Sequence, residues 1–436
     1  MAARVGIRRE DKSEWERRVP IIPEHARQLQ REHDIEVWVQ PSEIRAFPDH
    51  TYAGSGITVR EDLSPCPVVF GVKEIPADFF TRGHTYVFFA HVIKGQRYNM
   101  PMLERLLDSG CQLIDYEKVT DEQGRRLIFF GRHAGLAGMV DTLWALGRRL
   151  NHEGISNPFA DLQQMVRYDS LEEAKTAVSA LGNRIAHEGL PESIAPMICG
   201  FAGYGNVFGG ANEIIELLPV KEIQPDEVAE VARHSDVRDV IYKVVFREED
   251  TVEPISPEHE FELQDYYDHP AKYRARFEAY LPYLTLLVNC VYWEEKYPRL
   301  VTKEDVKKLY RPSDQPRLRV IGDISCDIEG AIEATVKCTD PGNPVYVYDP
   351  SDDRAVDGVS GTGPVILAVD ILPSELPREA SAYFSSVLMD YVPAIAKADY
   401  SVPFESLDLP PEIKRAMIVY QGELTPGYRY LEGYLP

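Results

Sequence analysis

Pro196-Met-Ile-Cys-Gly-Phe-Ala-Gly203-Tyr-Gly205-Asn-Val-Phe-Gly209-Gly210-Ala211-Asn-Glu-Ile-Ile-Glu-Leu-Leu218 is the stretch on which the fold turns. Met197–Ala202 reads as a strand. Ala211–Leu218 reads as a helix, with Ile214, Ile215, Leu217 and Leu218 as its apolar positions. Glycines between such a strand and helix let the backbone turn tightly and approach a pyrophosphate, while the helix N-terminus offers amide donors and a positive dipole end. The third glycine of the usual G-x-G-x-x-G spacing falls at Phe208. The small residue arrives one position late, at Gly209, and Gly210 and Ala211 keep that face small enough for close helix packing. The strand after this helix is predicted at Leu218–Ile223, and an acid near its end, Glu222 or Asp226, is placed to hold ribose hydroxyls.

Outward from this motif, strand and helix signals alternate. Upstream, strands are predicted at Val5–Arg8, Ile35–Gln40, Val68–Val72, Thr85–Val92, Gln112–Tyr116 and Arg126–Phe130, and helices at Pro23–Glu32 and Met102–Leu107. A long helix runs from Gly135 to about Leu150, and Ser170 with Glu173 forms a capping box opening Leu171–Leu181. Downstream, strands are predicted at Arg317–Ile324, Val345–Tyr348 and Val365–Val369, and helices at Arg378–Tyr391 and Glu412–Gln421. Such alternation predicts an α/β layer architecture with parallel sheets.

The chain has 436 residues, which at roughly 100–200 residues per domain predicts two or three domains. Acidic residues outnumber basic ones by 70 to 47, a net charge of -23. That surface disfavours nucleic acid and anionic membrane as partners. Six scattered cysteines, with no CxxC or zinc spacing, read as reduced thiols of a cytoplasmic protein, with no metal. No signal-peptide core is present at the N-terminus, and the longest apolar run, Leu281 to Trp293, is too short to span a bilayer.

If the substrate is anionic, its site is a local cationic pocket. Arg18, Lys73, His91, Lys94, Arg125 and Arg126 stand at or just after strand ends, where α/β proteins place ligands. Lys73 and His91 each close an apolar strand, so the two are candidates to face one crevice.

These residues carry a resemblance. Gly6-Ile-Arg-Arg-Glu-Asp11, Trp15-Glu-Arg-Arg18-Val-Pro, Gly71-Val-Lys73-Glu, Phe88-Phe-Ala-His91-Val-Ile-Lys94, Asp115-Tyr-Glu117-Lys and Phe130-Gly-Arg-His-Ala-Gly-Leu-Ala-Gly138 look like lysine-ketoglutarate reductase. That is the N-terminal half of the bifunctional aminoadipate semialdehyde synthases of animals and plants. Gly203–Ala211, Val288-Asn-Cys-Val-Tyr-Trp-Glu294, Gly322-Asp-Ile-Ser-Cys-Asp327 and Leu372–Ser381 agree, so the resemblance spans nearly the whole chain. Alanine dehydrogenase and the transhydrogenase domain look like more distant relatives. The bifunctional relatives continue into a saccharopine-oxidising domain beyond the point matching Pro436, so a single reaction step is expected.

The resemblance implies two Rossmann-like domains with a cleft between them. Residues 1–135 and 376–436 would form a substrate domain, with an NAD(P)-binding domain at 136–375. By similarity Lys73 and His91 are an acid–base pair, Arg18 binds a substrate carboxylate, and Lys94, Glu117 and Arg126 line the site. Gly203, Tyr204, Gly205, Asn206, Val207, Glu222, Asn289 and Asp327 are the cofactor-side candidates. The cofactor is expected to be NADP, with NAD as the alternative favoured by Glu222. L-Lysine, 2-oxoglutarate and saccharopine are the expected substrates, and a homo-oligomer is left open. Together lysine and 2-oxoglutarate carry three carboxylates, which calls for arginine forks and lysines. The competing readings are a related alanine- or opine-type dehydrogenase and a non-catalytic NAD(P)-binding sensor.

Overall fold

The computed structural model describes residues 3–311 and 316–435. In chain order the strands are β1 Ala3–Ile7, β2 Ile35–Val39, β3 Thr58–Val59, β4 Val68–Phe70, β5 Thr85–Phe88, β6 Gln112–Asp115, β7 Met197–Ala202, β8 Val220–Glu222, β9 Ile241–Phe246, β10 Val252–Pro254, β11 Tyr273–Ala275, β12 Leu286–Asn289, β13 Val320–Asp323, β14 Val345–Asp349, β15 Arg354–Asp357, β16 Val365–Leu367, β17 Met417–Tyr420 and β18 Glu423–Leu424. Two compact units divide them: Met1–Phe130 with Pro377–Pro436, and Gly131–Leu376.

The first unit is built on an eight-stranded sheet of order β18-β17-β6-β5-β4-β1-β2-β3. From β3 to β6 all pairings are parallel. The chain builds outward from β1 on one side, through β2 and β3, and then returns to build β4, β5 and β6 on the other. The carboxyl ends of β1 and β4 therefore flank the point where strand order reverses, the usual ligand position in such sheets. β4, β5 and β6 are buried along their whole length, which is why they read as unbroken apolar runs rather than alternating ones.

The second unit carries another eight-stranded sheet, β15-β14-β16-β13-β12-β7-β9-β8, parallel from β8 to β16. β7 is central, and order reverses between it and β12. Two glycines bring helices together beneath it. A Cβ on Gly135 would lie 1.9 Å from the Val207 carbonyl oxygen, and one on Gly210 would lie 2.0 Å from that of Arg132. The Gly131–His152 and Asn206–Ile215 helices thus cross backbone to backbone.

Several expectations are corrected here. The helix after the glycine turn starts at Asn206, not Ala211, so Gly209 and Gly210 lie inside it. Gly209 faces open space, and Gly210 supplies the close packing. Leu171–Glu188 outruns its predicted end at Leu181 because Gly182 is a close-approach residue, 2.5 Å from the Leu217 carbonyl oxygen if given a Cβ. Ser170 does cap that helix by accepting from the Glu173 amide, but the Glu173 carboxylate returns to the Asp169 amide instead of that of Ser170. Arg126–Phe130 is not a strand; Arg126 makes one isolated bridge to Thr120. Glu412–Gln421 is a short helix, Pro411–Arg415, followed by β17, since fully buried Met417-Ile-Val-Tyr420 pairs antiparallel with β6. The acid-rich stretch from Glu222 to Asp268 contains β9, which lies between β7 and the edge strand β8 of the second sheet.

Candidate active site

In the first unit, the loops after β1, β4 and β5 form one ionic cluster. Glu10, three residues beyond β1, is buried and accepts from the Val72 amide at 2.7 Å and the Lys73 amide at 2.9 Å. That tie clamps the loop bearing Lys73 to the first strand. Burial and the neighbouring Glu16 push the Glu10 carboxyl up to about 7, against the two amides and Arg8. Burial, followed by the Arg18 charge, holds the Lys73 ammonium below the ordinary lysine value, while Glu16 and Glu74 oppose the shift. Such a lysine is a competent base nearer neutrality than a solvated one.

Glu74, the next residue, joins the other candidate to this loop. Its Oε1 is 2.8 Å from His91 Nδ1, and its carboxylate accepts from Lys12 Nζ at 2.7 and 2.8 Å. Burial alone would raise the Glu74 carboxyl, but the His91 hydrogen bond and charge, with Lys12, hold it well below the usual range. With Nδ1 occupied, Nε2 is the working nitrogen of His91. β5 ends at Phe88, earlier than the predicted Val92, so His91 lies in a loop with left-handed backbone (φ 48°). Buried Asn99 donates to the Ala90 and His91 carbonyls at 3.1 Å and secures that conformation. A histidine at positive φ, over-determined by its surroundings, is a common mark of a functional position.

Arg18 is buried, and its fork is committed to Glu16, with Nε to Oε1 at 2.7 Å and Nη2 to Oε2 at 2.6 Å. It also lies over the Phe130 ring, 4.5 Å from its centroid. Burial would raise the Glu16 carboxyl; the Arg18 charge keeps it ionised below the ordinary value. Among the described residues Nη1 of the fork has no acceptor, so it can meet a substrate carboxylate. Arg126 pairs with Glu117, and Arg125 with Asp121 on an exposed turn. Lys94 is exposed, and it is not among the charges that depress Lys73. The expected purely cationic pocket is therefore a set of interleaved ion pairs. Glu10, Glu16 and Glu74 are its unpredicted members; Glu16 lies two positions before Arg18 and Glu74 directly follows Lys73, whereas Glu10 is brought in by the fold.

In the second unit, the glycine turn follows β7. Gly203 has φ +91°, and a Cβ there would meet the Cys290 backbone beyond β12 at 3.1 Å, so the turn and close approach require glycine. Around Gly205 a Cβ would find nothing within 4 Å. Gly205 is also the N-cap of the Asn206–Ile215 helix, without a side-chain cap. The first amides of Asn206, Val207 and Phe208 thus lack a side-chain cap, as a pyrophosphate-binding helix start requires.

The ribose side departs from expectation. β8, which ends at Glu222, is the edge strand; β9 lies between it and β7. Glu222 is instead 2.8 Å from Lys243 Nζ. The strand beside β7 ends at Phe246, and Arg247 and Glu248 follow. Exposed Arg247 lies over the Tyr204 ring, 4.8 Å from its centroid. Glu248 accepts from the Tyr204 and Tyr267 hydroxyls at 3.0 and 2.7 Å. Asn289 is buried, and its side chain is spent on Asp323 and the Val291 amide. It shapes the turn after β12, and one of its two amide N–H groups is taken by Asp323. Asp327 is exposed beyond the carboxyl end of β13. Buried Asp323, pushed up to about 6 by burial, accepts from Thr335, Asn289 and the Cys326 amide.

Similar proteins cover both units of the chain. The chain is 37% identical to an alpha-aminoadipic semialdehyde synthase of Arabidopsis thaliana over 98% of its own length and 41% of that protein's. It thus spans less than half the length of that relative. It is 28% identical to a saccharopine dehydrogenase [NAD(+), L-lysine-forming] of Neurospora crassa, over 80% of each chain. A solved L-alanine dehydrogenase shares the fold, with a TM-score of 0.64 and 18% identity over 99% of this chain and all of the other. With residues 6–137 matching the alanine dehydrogenase/PNT N-terminal domain and residues 270–427 the corresponding C-terminal domain, the chain belongs to the alanine dehydrogenase/PNT family.

Proposed function

We propose that this chain condenses L-lysine with 2-oxoglutarate and reduces the resulting imine to saccharopine. The observation that carries the reading is the Lys73–Glu74–His91 arrangement at the order reversal of the first sheet. It provides two acid–base groups of different kinds, one with a depressed ammonium and one with a carboxylate-oriented ring. The names of the semialdehyde synthase and saccharopine dehydrogenase relatives support the same reaction.

The lysine ε-ammonium must lose a proton before it attacks the ketone, and the carbinolamine must then lose water with help from a general acid. Lys73 and His91 divide these two proton transfers. Arg18 Nη1, backed by Glu16, and Lys94 are the cations available to substrate carboxylates. The amides of residues 206–208 at the glycine turn would hold the pyrophosphate of a reduced nicotinamide dinucleotide, which would supply the hydride. Arg247 favours NADPH: it has no carboxylate partner among the described residues, whereas each oxygen of Glu248 already accepts a tyrosine hydroxyl.

The test is oxidation of NADPH and NADH with lysine plus 2-oxoglutarate, and with pyruvate in place of 2-oxoglutarate. Activity confined to 2-oxoglutarate is expected. Lys73→Met and His91→Gln should each lower turnover by about 10²-fold or more; if both keep near wild-type turnover, the acid–base assignment is wrong. Preference for pyruvate would indicate an alanine- or opine-type dehydrogenase. Tight NADPH binding without turnover on any amine–oxoacid pair would indicate a sensor.

A further inference from the structure

A cavity of about 660 Å³ in the first unit lies beside the β17–β18 hairpin. Its volume is that of a small-molecule site. Lys118, Lys414 and Arg415 line it, with Phe404, Tyr428 and Tyr430 on its walls, and no carboxylate lines it.

That composition is unexpected in a chain of net charge -23. Several first-unit cations meet carboxylates directly, as at Arg9–Glu61 and Arg4–Glu36. Here Lys414 Nζ donates only to the Glu405 and Leu407 carbonyls, at 3.0 and 2.9 Å, over the face of Phe404. Arg415 Nη2 donates to the Thr120 carbonyl at 2.6 Å, and the rest of its guanidinium has no acceptor among the described residues. Carbonyls orient these groups without neutralising them. Three like charges on one cavity raise its free energy unless an anion offsets them. The aromatic walls provide apolar contact for a carbon skeleton between the charges.

We propose that this cavity is a second anion site, whose occupant is a small organic polyanion bearing carboxylate or phosphate groups. It shares none of Arg18, Lys73 and His91, and its occupancy does not depend on the reaction assigned above. The wall is nonetheless tied to that machinery. Lys118 directly follows Glu117, and the Tyr430 hydroxyl donates to the Ile93 carbonyl at 2.6 Å, two residues from His91.

The experiment is calorimetric titration of the full chain with citrate and, separately, with pyrophosphate, at about 150 mM salt so that diffuse attraction is screened. The two probes distinguish a carboxylate from a phosphate preference. Comparison is with Lys118→Glu/Arg415→Glu and with Lys307→Glu/Lys308→Glu, exposed residues of the second unit that change net charge equally. Saturable 1:1 binding of at least one probe is expected. It should weaken about tenfold or more in the cavity variant, where charge-assisted contacts are lost, and less than about twofold in the control. If the cavity variant has a lower melting point, Lys118→Gln makes the same comparison, because its ammonium makes no hydrogen bond or ion pair among the described residues. Absence of saturable binding by both probes overturns the proposal. So does binding that survives the cavity variant, or weakening of equal size in the control.

Discussion

Gly210→Ala is the sharpest perturbation of the dinucleotide side. The new Cβ would lie 2.0 Å from the Arg132 carbonyl oxygen, where ordinary contact begins at 3.4 Å. The helices must therefore part by about 1.4 Å, yet both pack on one sheet. Overpacking of this kind costs roughly 1–3 kcal/mol, and because the clash is with rigid backbone the upper end, about 3 kcal/mol, is expected. For a unit of this size that is a fall of about 6–12 °C in its melting temperature. The built-in control is Gly209→Ala, one residue earlier on the same helix, where the Cβ meets nothing within 4 Å. There alanine should stabilise by up to about 1 kcal/mol through helix propensity. Differential scanning calorimetry reads both, and NADPH titration reads the displaced turn. Equal shifts of the same sign in the two variants would refute the crossing, and with it the reading of Gly210 and Gly135 as paired contact residues.

Three further outcomes follow from the ionic groups. Glu10 keeps its proton up to about 7 in the fold but loses it near the ordinary 4.5 when unfolded. The native state then binds more protons across that window, so stability falls as pH rises through it, by about 3 kcal/mol at most. Melting curves of Glu10→Gln between pH 5 and 8 should be flatter than wild type, and an unchanged slope would count against a protonated Glu10. Glu74→Gln removes the carboxylate held by His91 and Lys12, and should lower kcat by on the order of 10²-fold with little change in KM for lysine; unaltered kcat would show that His91 needs no orienting partner. Arg247→Ala should raise KM for NADPH by about 10-fold or more while leaving that for NADH nearly unchanged, as expected for loss of a charge-assisted phosphate contact. Equal losses for both cofactors would remove Arg247 from the 2′-phosphate.

Much of this was legible along the chain because it depends on neighbours in sequence. The buried parallel strands announce themselves as apolar runs. The strand–glycine–helix motif needs only residues 197–215. Lys73 and His91 stand out because each follows such a run. Non-local pairing decided the rest. β9 rather than β8 lies against β7, so the strand beside β7 is followed by Arg247 and Glu248 and not by Glu222. The pairing of Glu10 with residues 72 and 73 depends on β1 and β4 being neighbours, 62 and 63 positions apart in sequence. Asn289 is tied to Asp323 because the two lie on adjoining strands. Local propensities cannot rank these pairings, because the burial and hydrogen-bond free energies that select among strand orders are gained only once distant segments meet.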